Sequence, residues 1–314
     1  MSRIWVPRAK ILEPNKQLLL PIRLEGRYIM EAVNVETGRR RKLADFPNLI
    51  TTNGANLWAT SNIFTTCCVG SGNTPPALGD TALQSLVGTT TNIVVGTAAA
   101  QSSPPYYGTT SVTYRFAAGV VTGNLAEVGV GVLNNSLFSR ALILDSFGSP
   151  TTITVLSNEA LDVTYQLRQY VPTSDVTGTV TIGGVNYNYT LRAARATQSG
   201  SWARTGLDRA GTPITQAYSG AIGAVTASSP SGSAANADSV STTPYSTGSF
   251  EVDSVATWGL SSANFGGVNS FFYQCGLDAF SSGCFQCGFN NPIPKDGTKV
   301  LTLSFGYTWA INTP

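Results

Sequence analysis

The sequence contains no histidine and few charged residues. Only 11% of its 314 residues are charged, against roughly 25% in an average soluble protein. The absence of histidine removes the commonest general base and metal ligand near neutral pH. No apolar run reaches the ~18–20 residues that a membrane-spanning helix needs, and the first residues lack the apolar segment of a secretory signal. We therefore expect neither membrane insertion nor most classes of enzyme.

The high proportion of uncharged residues indicates a protein that packs against other chains. Hydrophobic residues make up 42% of the sequence, which is enough for a core, and glycine is abundant. A surface with so few charges gives a free monomer little protection against association. We therefore expect contacts with sister copies, and the simpler alternative is a loop-rich β protein that is merely neutral.

The charge is concentrated near the start of the chain. Positions 1–42 hold ten basic and four acidic residues, a net +6, whereas nine basic and thirteen acidic residues follow, a net −4. A basic arm ahead of an acidic body predicts docking of the arm on a sister copy or on an acidic partner. The predicted docking residues are Arg3, Trp5, Arg8, Lys10, Arg39, Arg40, Arg41 and Lys42.

The basic run Arg39 to Lys42 also raises the alternative of nucleic-acid binding. It follows a turn at residues 36–38, so residues 27–35 and 39–46 are predicted to form a β-hairpin. Charges on an edge strand prevent unwanted strand pairing, which is a sufficient structural reason for them. Because no nucleic-acid-binding motif accompanies the run, we expect no specific nucleic-acid partner.

The rest of the chain indicates an all-β fold, an antiparallel sandwich or barrel-like body with few short helices. Alternation of apolar and polar residues predicts strands at 112–116, 161–171 and 301–309. Turn residues predict hairpins around Asn134 and Asn135 and around Gly183 and Gly184. Short helices are predicted over residues 56–61 and, capped by Asp80, over 81–86.

Two regions are predicted from these patterns. Residues 1–48 form an extended arm plus a β-hairpin that serves docking, and residues 49–314 form the β body. Within the body, residues 219–249 are rich in Ser, Gly, Ala and Thr and carry one charge, Asp238. This insertion is either a solvated loop or, as we favour, a segment ordered by a neighbouring subunit.

The five cysteines allow three interpretations. They are Cys67, Cys68, Cys275, Cys284 and Cys287. The two-residue spacing of the last pair fits half of a zinc site, although the other ligands lie far away in the sequence. An odd number also permits a disulfide between subunits. Free, buried thiols are the interpretation we favour, with one of the adjacent pair Cys67 and Cys68 buried and the other exposed.

Acidic and aromatic residues give only weak indications of chemistry. Glu251 with Asp253, or Glu159 with Asp162, would supply the two carboxyl groups that glycoside hydrolysis needs, but solvated surface acids are far commoner. No nucleophile elbow or phosphate-binding loop is present. We predict no catalytic residue, cofactor or bound metal. Several aromatics are candidates for stacking on sugars, but most should lie in the core or in an interface: Tyr106, Tyr107, Tyr187, Tyr189, Trp202 and Trp258.

Several short stretches resemble tailed-bacteriophage virion structural proteins, of the kind described as tail-fibre-like or neck-associated. The stretches are 48–54 (NLITTNG), 69–76 (VGSGNTPP), 80–83 (DTAL), 126–131 (AEVGVG), 137–141 (LFSRA), 161–165 (LDVTY) and 301–305 (LTLSF). The resemblance covers residues 27–200 and the final strand, but neither the arm before Gly26 nor the cysteines at 275–287. Its motifs are turns and strands, so it implies a place in a particle rather than a catalytic site.

The resemblance implies a non-enzymatic virion component, assembled in the cytoplasm of a bacterial host. We expect a homo-oligomer at the tail fibre or at the neck and collar, in contact with other virion proteins of the tail, neck or capsid. Two alternatives are a receptor-binding appendage that binds or degrades a host-surface glycan, and a decoration protein of the capsid.

Overall fold

The computed structural model describes residues 10–12, 18–60, 63–203, 214–275 and 283–311, and it confirms the all-β class. The first strands are β1 (Lys10–Leu12), β2 (Leu18–Asn34), β3 (Arg40–Pro47), β4 (Leu49–Ile50), β5 (Thr66–Gly70), β6 (Leu86–Thr90), β7 (Ile93–Ala100), β8 (Tyr107–Phe116), β9 (Gly123–Leu125), β10 (Glu127–Leu133) and β11 (Ser136–Leu142). The later strands are β12 (Ile153–Val155), β13 (Glu159–Tyr170), β14 (Val176–Ile182), β15 (Val185–Ala193), β16 (Ile214–Tyr218), β17 (Ala234–Asn236), β18 (Ser239–Thr242), β19 (Glu251–Trp258), β20 (Val268–Gln274), β21 (Cys284–Ile293) and β22 (Lys299–Ile311). Two short helices, α1 (Thr52–Thr60) and α2 (Ser199–Trp202), complete the described elements, and neither has the length of a membrane-spanning helix.

The strands form one large, curled sheet and several smaller ones. The nine-stranded sheet has the order β18-β19-β22-β2-β13-β8-β7, with β1 beside β22 and β3 beside β2. A five-stranded sheet has the order β4-β11-β10-β5-β6, a six-stranded sheet β14-β15-β21-β20-β16-β17, and β9 pairs with β12. Nearly all pairs are antiparallel, as predicted, but β22 is parallel to both β1 and β2.

The strand β2 begins well before the hairpin that the sequence predicts. Its pairing with β22 starts at Leu18, and Leu20 and Leu24 are fully buried on its inner face. The alternation of buried and exposed residues therefore continues through the segment assigned to a docking arm. Residues 18–47 lie inside the largest sheet, and the hairpin of β2 and β3 is present as predicted.

This position of β2 changes how the arm can be tested. Deletion of residues 1–26 would remove the inner-face side chains of Leu18, Leu20, Ile22 and Leu24 from the core. Such a deletion would destabilise the fold as well as remove the arm, because large side chains lost from a core each cost about 2–5 kcal/mol. A deletion that ends before β1 leaves all the described strands in place.

Two short helices were predicted next to strands of the five-stranded sheet. The first is present and the second is absent. Helix α1 spans Thr52–Thr60, so it begins four residues before the predicted start at residue 56. The reason is a cap: Thr51 Oγ1 accepts a hydrogen bond from Gly54 N at 2.9 Å. The predicted helix over 81–86 is absent, because Gln84 N and Ser85 N donate to the Glu127 carboxylate instead of to a helical turn.

The six-stranded sheet holds the predicted hairpin of β14 and β15, whose turn residues Gly183 and Gly184 both have positive φ. It also binds the beginning of the 219–249 insertion. Gln286 Nε2 donates to the carbonyls of Gly223 (3.1 Å) and Ala224 (3.0 Å), and Gln286 Oε1 accepts from Gly223 N (2.8 Å). A buried glutamine of the same chain thus fixes residues 223 and 224 of the insertion.

The three larger sheets share one hydrophobic core. The rings of Tyr273 on β20 and Phe305 on β22 stack at 4.9 Å, which joins the six-stranded sheet to the nine-stranded one. The hydroxyls of Tyr28 on β2 and Ser139 on β11 are 2.6 Å apart, which joins the nine-stranded sheet to the five-stranded one. The predicted final strand is confirmed as β22.

Candidate docking surface

One end of the nine-stranded sheet brings together the predicted basic run and several exposed aliphatic residues. The register pairs Asn34 with Glu159, Leu161 with Phe116, and Tyr114 with Ile93, so the ends of four neighbouring strands meet there. We call this region the loop end: the turns 35–39, 117–122 and 156–158 and the start of β7. The edge strand β3 begins beside it.

The basic residues at the loop end form ion pairs within the chain. Arg40 Nη2 contacts Asp162 Oδ2 at 2.5 Å and Glu31 Oε2 at 3.0 Å. Lys42 Nζ contacts Asp45 Oδ2 at 2.6 Å. The edge position that the sequence predicts for this run is confirmed, but internal carboxylates balance much of its charge.

Arg41 makes the best-organised of these pairs. Its Nε and Nη2 atoms donate to the two carboxylate oxygens of Glu159 at 2.8 and 2.6 Å, and Nη2 also donates to the carbonyl of Thr154 at 2.7 Å. Leu156 N donates to Glu159 as well. The hydrogen bonds from Arg41 lower the pKa of Glu159 to about 2.

Substitution Glu159→Gln tests this pair through pH. A carboxyl with a depressed folded-state pKa adds stability above its unfolded pKa of about 4.5 and loses that contribution as the pH falls towards 2. We expect wild type to have a higher Tm than E159Q at pH 6 and the two values to converge near pH 2. Thermal unfolding across this range measures it, with E36Q in the exposed turn as the control. A constant Tm difference would contradict the pairing.

Two of the four carboxylates considered for hydrolysis, Glu159 and Asp162, form ion pairs within the chain. Asp162, only 2% exposed, is shared by Arg40 and by Arg115, whose Nε lies 2.6 Å from Asp162 Oδ1. Glu159 is occupied by Arg41. Glu251 and Asp253 lie on β19, on the face opposite the buried Val252 and Ser254.

Three aliphatic side chains at the loop end are exposed: Val35 and Val120 by 57% and Leu156 by 51%. The turn that presents Val35 is rigid, because Asn34 Oδ1 accepts from the backbone nitrogens of Glu36 and Thr37. Val35 N also donates to Asn158 O at 3.0 Å, which joins this turn to the one after Leu156. The sequence alone does not predict that these three aliphatic residues form part of the docking surface, because single apolar residues in turns give no periodic signal.

Further apolar residues are exposed on two consecutive strands, β6 and β7. Leu86 and Val87 on β6, and Val94 and Val95 on β7, are 39–50% exposed. Each strand is an edge, β6 of the five-stranded sheet and β7 of the nine-stranded sheet. Exposed apolar area of this kind marks contacts with other molecules.

The remaining predicted docking residues lie elsewhere. Arg3, Trp5 and Arg8 are outside the described residues. Lys10 opens β1, which pairs in parallel with the start of β22 opposite Lys299. Arg39 lies at the loop end in the turn before β3, where its backbone nitrogen donates to Thr37 Oγ1.

All five cysteines are buried free thiols. Cys67 and Cys68 point to opposite faces of β5, as predicted, but both are buried because one meets the main core and the other a small cluster with Leu83 and Leu137. The prediction that one is exposed is therefore wrong.

The pair Cys284 and Cys287 does not form half of a metal site. A separation of three residues on a strand directs them to opposite faces, so that Cys287 meets the main core and Cys284 a cluster with Tyr218 and Phe272. Within the described ranges, no three His, Cys, Asp or Glu side chains converge as metal ligands. Thiols with at most 1% exposure cannot reach a neighbouring subunit to form a disulfide.

A separate groove of about 740 Å³ lies on the six-stranded sheet, and none of its lining residues is charged. Thr179 Oγ1 donates to Asn188 Oδ1 at 2.8 Å, and Asn188 N donates to Asn290 Oδ1 at 2.9 Å. These bonds engage the amide oxygens and leave the amide nitrogens as donors. Tyr189 also lines the groove, whereas Tyr187, Trp202 and Trp258 are buried.

Comparisons with protein-family models, curated proteins and solved structures find no match for this chain.

Proposed function

We propose that this chain is a non-enzymatic structural component of a tailed-bacteriophage virion. It assembles as a homo-oligomer at the tail fibre or at the neck and collar, and it docks on neighbouring virion proteins. The observation that carries the proposal is the loop end, where exposed Val35, Val120 and Leu156 lie near the ion-paired basic residues of β3.

The loop end suits another polypeptide better than a nucleic acid. Nucleic-acid affinity depends on cations that neutralise phosphates, but Arg40, Arg41 and Lys42 already contact acids of their own chain. Exposed apolar side chains with a polar rim are typical of protein interfaces. The arginines, each 43–48% exposed on the side chain, would serve as that rim.

The test is incorporation of a loop-end variant into particles. We expect Val120→Lys combined with Leu156→Lys to lower the copy number per particle at least about tenfold, equivalent to ~1.4 kcal/mol of docking energy. The matched control is Val176→Lys with Val185→Lys, two exposed positions on the six-stranded sheet. Quantitative mass spectrometry of purified particles measures the copy number, and immunogold labelling locates the protein. Normal incorporation of the loop-end variant would contradict the proposal.

A second candidate function is supported by the uncharged groove on the six-stranded sheet. Neutral amides and hydroxyls beside an aromatic ring suit a host-surface glycan, which would make the chain a receptor-binding appendage. An oligosaccharide array with wild type and Asn188→Ala separates the two functions. Binding that the substitution abolishes supports the appendage, and no binding to any oligosaccharide supports the purely structural role.

A further inference from the structure

The nine-stranded sheet ends in an eight-residue edge strand, β7, that has no charged side chain. We propose that β7 pairs in an antiparallel manner with β7 of a second copy, so that two nine-stranded sheets join across a two-fold axis. The inference rests on the homo-oligomeric assembly proposed above, and it names the surface through which two copies meet.

The backbone of β7 has a partner on one side. Among the described residues it pairs with β8, and it stands last in the strand order of the sheet. The ladder with β8 has one bulge, between Ile93 and Val95, and is regular from Val95 to Ala100. A regular edge presents unpaired N–H and C=O groups that another strand can satisfy.

This edge has neither charged side chains nor proline, two of the devices that normally block pairing. From Thr81 to Tyr114 the chain has no charged residue, and β7 has no proline. By contrast, β3, another edge of the same sheet, carries Arg40, Arg41 and Lys42. Charged side chains on edge strands prevent association, so the sheet is protected at β3 and unprotected at β7.

The side-chain pattern of β7 is complementary to itself. The register with β8 directs Val95, Thr97 and Ala99 to one face, and all three are exposed. A two-fold axis through Thr97 places Val95 of each copy opposite Ala99 of the other, so a large side chain meets a small one. It also places the two Thr97 side chains together, a favourable cross-strand pair.

Electrostatics also favours a second copy as the occupant. Identical chains repel each other in proportion to their net charge, and this chain carries only +2 over 314 residues. A two-fold contact is the commonest way in which identical subunits associate.

Lysines on the outer face of β7 test the contact. We expect Thr97→Lys with Ala99→Lys to raise the dimer dissociation constant at least about tenfold in sedimentation equilibrium, because the lysines of two copies would meet across the axis. Both positions are exposed, so the variant should unfold at the same temperature as wild type. The matched control is Ser239→Lys with Ser241→Lys on β18, the opposite end of the same sheet.

The outcomes are distinct. Weaker association of the β7 variant alone supports the proposal. Unchanged association, or equal weakening by the β18 variant as expected for head-to-tail β7–β18 contacts, overturns it. Self-association is measured on the purified chain, whereas the proposed function is tested by incorporation into particles. Failure of one proposal can therefore be distinguished from failure of the other.

A cysteine on the axis gives a second, independent readout. The five native thiols are buried, so Thr97→Cys adds a thiol that can be oxidised in the folded protein. We expect a disulfide-linked dimer on non-reducing gels for T97C, and little for Ser241→Cys. Equal cross-linking of the two variants, or none, would contradict an axis at Thr97.

Discussion

Replacing Arg140 by Met is expected to lower the free energy of unfolding by about 3–5 kcal/mol, because it leaves the buried carboxylate of Glu127 without its cation. Arg140 is 3% exposed and Glu127 is fully buried. Arg140 Nε and Nη2 donate to Glu127 Oε2 at 3.1 and 2.9 Å, and Nη1 contacts Asp80 at 2.5 Å.

The charged form of Glu127 is fixed by its surroundings. Burial raises its pKa, but hydrogen bonds from the Ser85 and Gln84 nitrogens and from Arg140 outweigh it, so the pKa is lowered overall. Gly72 N donates to the same carboxylate at 3.1 Å. One side chain therefore holds both ends of the loop between β5 and β6, and its cation lies on β11.

Urea unfolding measures the effect, and Lys42→Met is the matched control. Lys42 pairs with Asp45 at the surface, with 57% of its side chain exposed, so we expect the control to cost less than about 1 kcal/mol. Arg140→Lys keeps the charge and should recover part of the loss. If R140M is no less stable than K42M, the buried pair has no such role.

Replacing Lys295 by Met should have a comparable effect in another part of the chain. Lys295 is fully buried, and its Nζ donates to the carbonyls of Gly259 and Ser262 and to Asn264 Oδ1, each at 2.8 Å. Without the ammonium group, the carbonyls of the partly buried residues Gly259 and Ser262 lose their donor, at about 1–3 kcal/mol each. We expect a loss of about 3 kcal/mol or more.

Hydrogen exchange separates a local role from a general one. The loop 259–264 also depends on Asp238, whose Oδ2 accepts from Gly259 N at 2.6 Å and from Ser262 Oγ at 2.5 Å. We therefore expect K295M to lose amide protection first at this loop. Lys299→Met, which removes only a partly exposed pair with Asp296, is the control. Equal stability of the two variants would contradict the prediction.

Local patterns in the sequence predicted the strands and turns that local interactions determine. The hairpin at Gly183 and Gly184 follows from two residues that tolerate positive φ. Strand β22 follows from strict alternation of large apolar and small residues over 301–309. Both signals are contained in the segment itself.

The errors arose where distant residues decide the structure. The backbone amides of residues 84 and 85 donate to Glu127, which lies more than forty residues later in the sequence, and therefore do not form helical hydrogen bonds. The first half of β2 looks like an arm in the sequence because its partner strand, β22, lies almost three hundred residues later. Likewise, nothing near Lys295 in the sequence indicates a buried cation, since its acceptors lie some thirty residues earlier.

The site could be predicted only in part for the same reason. The basic run at Arg40 and Arg41 was visible, but its acids Glu159 and Asp162 lie on a strand more than a hundred residues away. Exposed Val35, Val120 and Leu156 lie at the same end of the sheet only because β2, β13 and β8 are consecutive strands in it. Pairing of strands, rather than any motif, assembles the loop end.

The parallel pairing of β2 with β22 sets the time at which the molecule can finish folding. During translation β2 emerges early and can pair first with β3 and later with β13, but its residues 18–24 lack their partner β22 until residues 305–311 have left the ribosome. Contacts this distant in sequence form slowly. A chain interrupted before Lys299 would leave the first part of β2 without its partner β22, and β19 would pair only with β18.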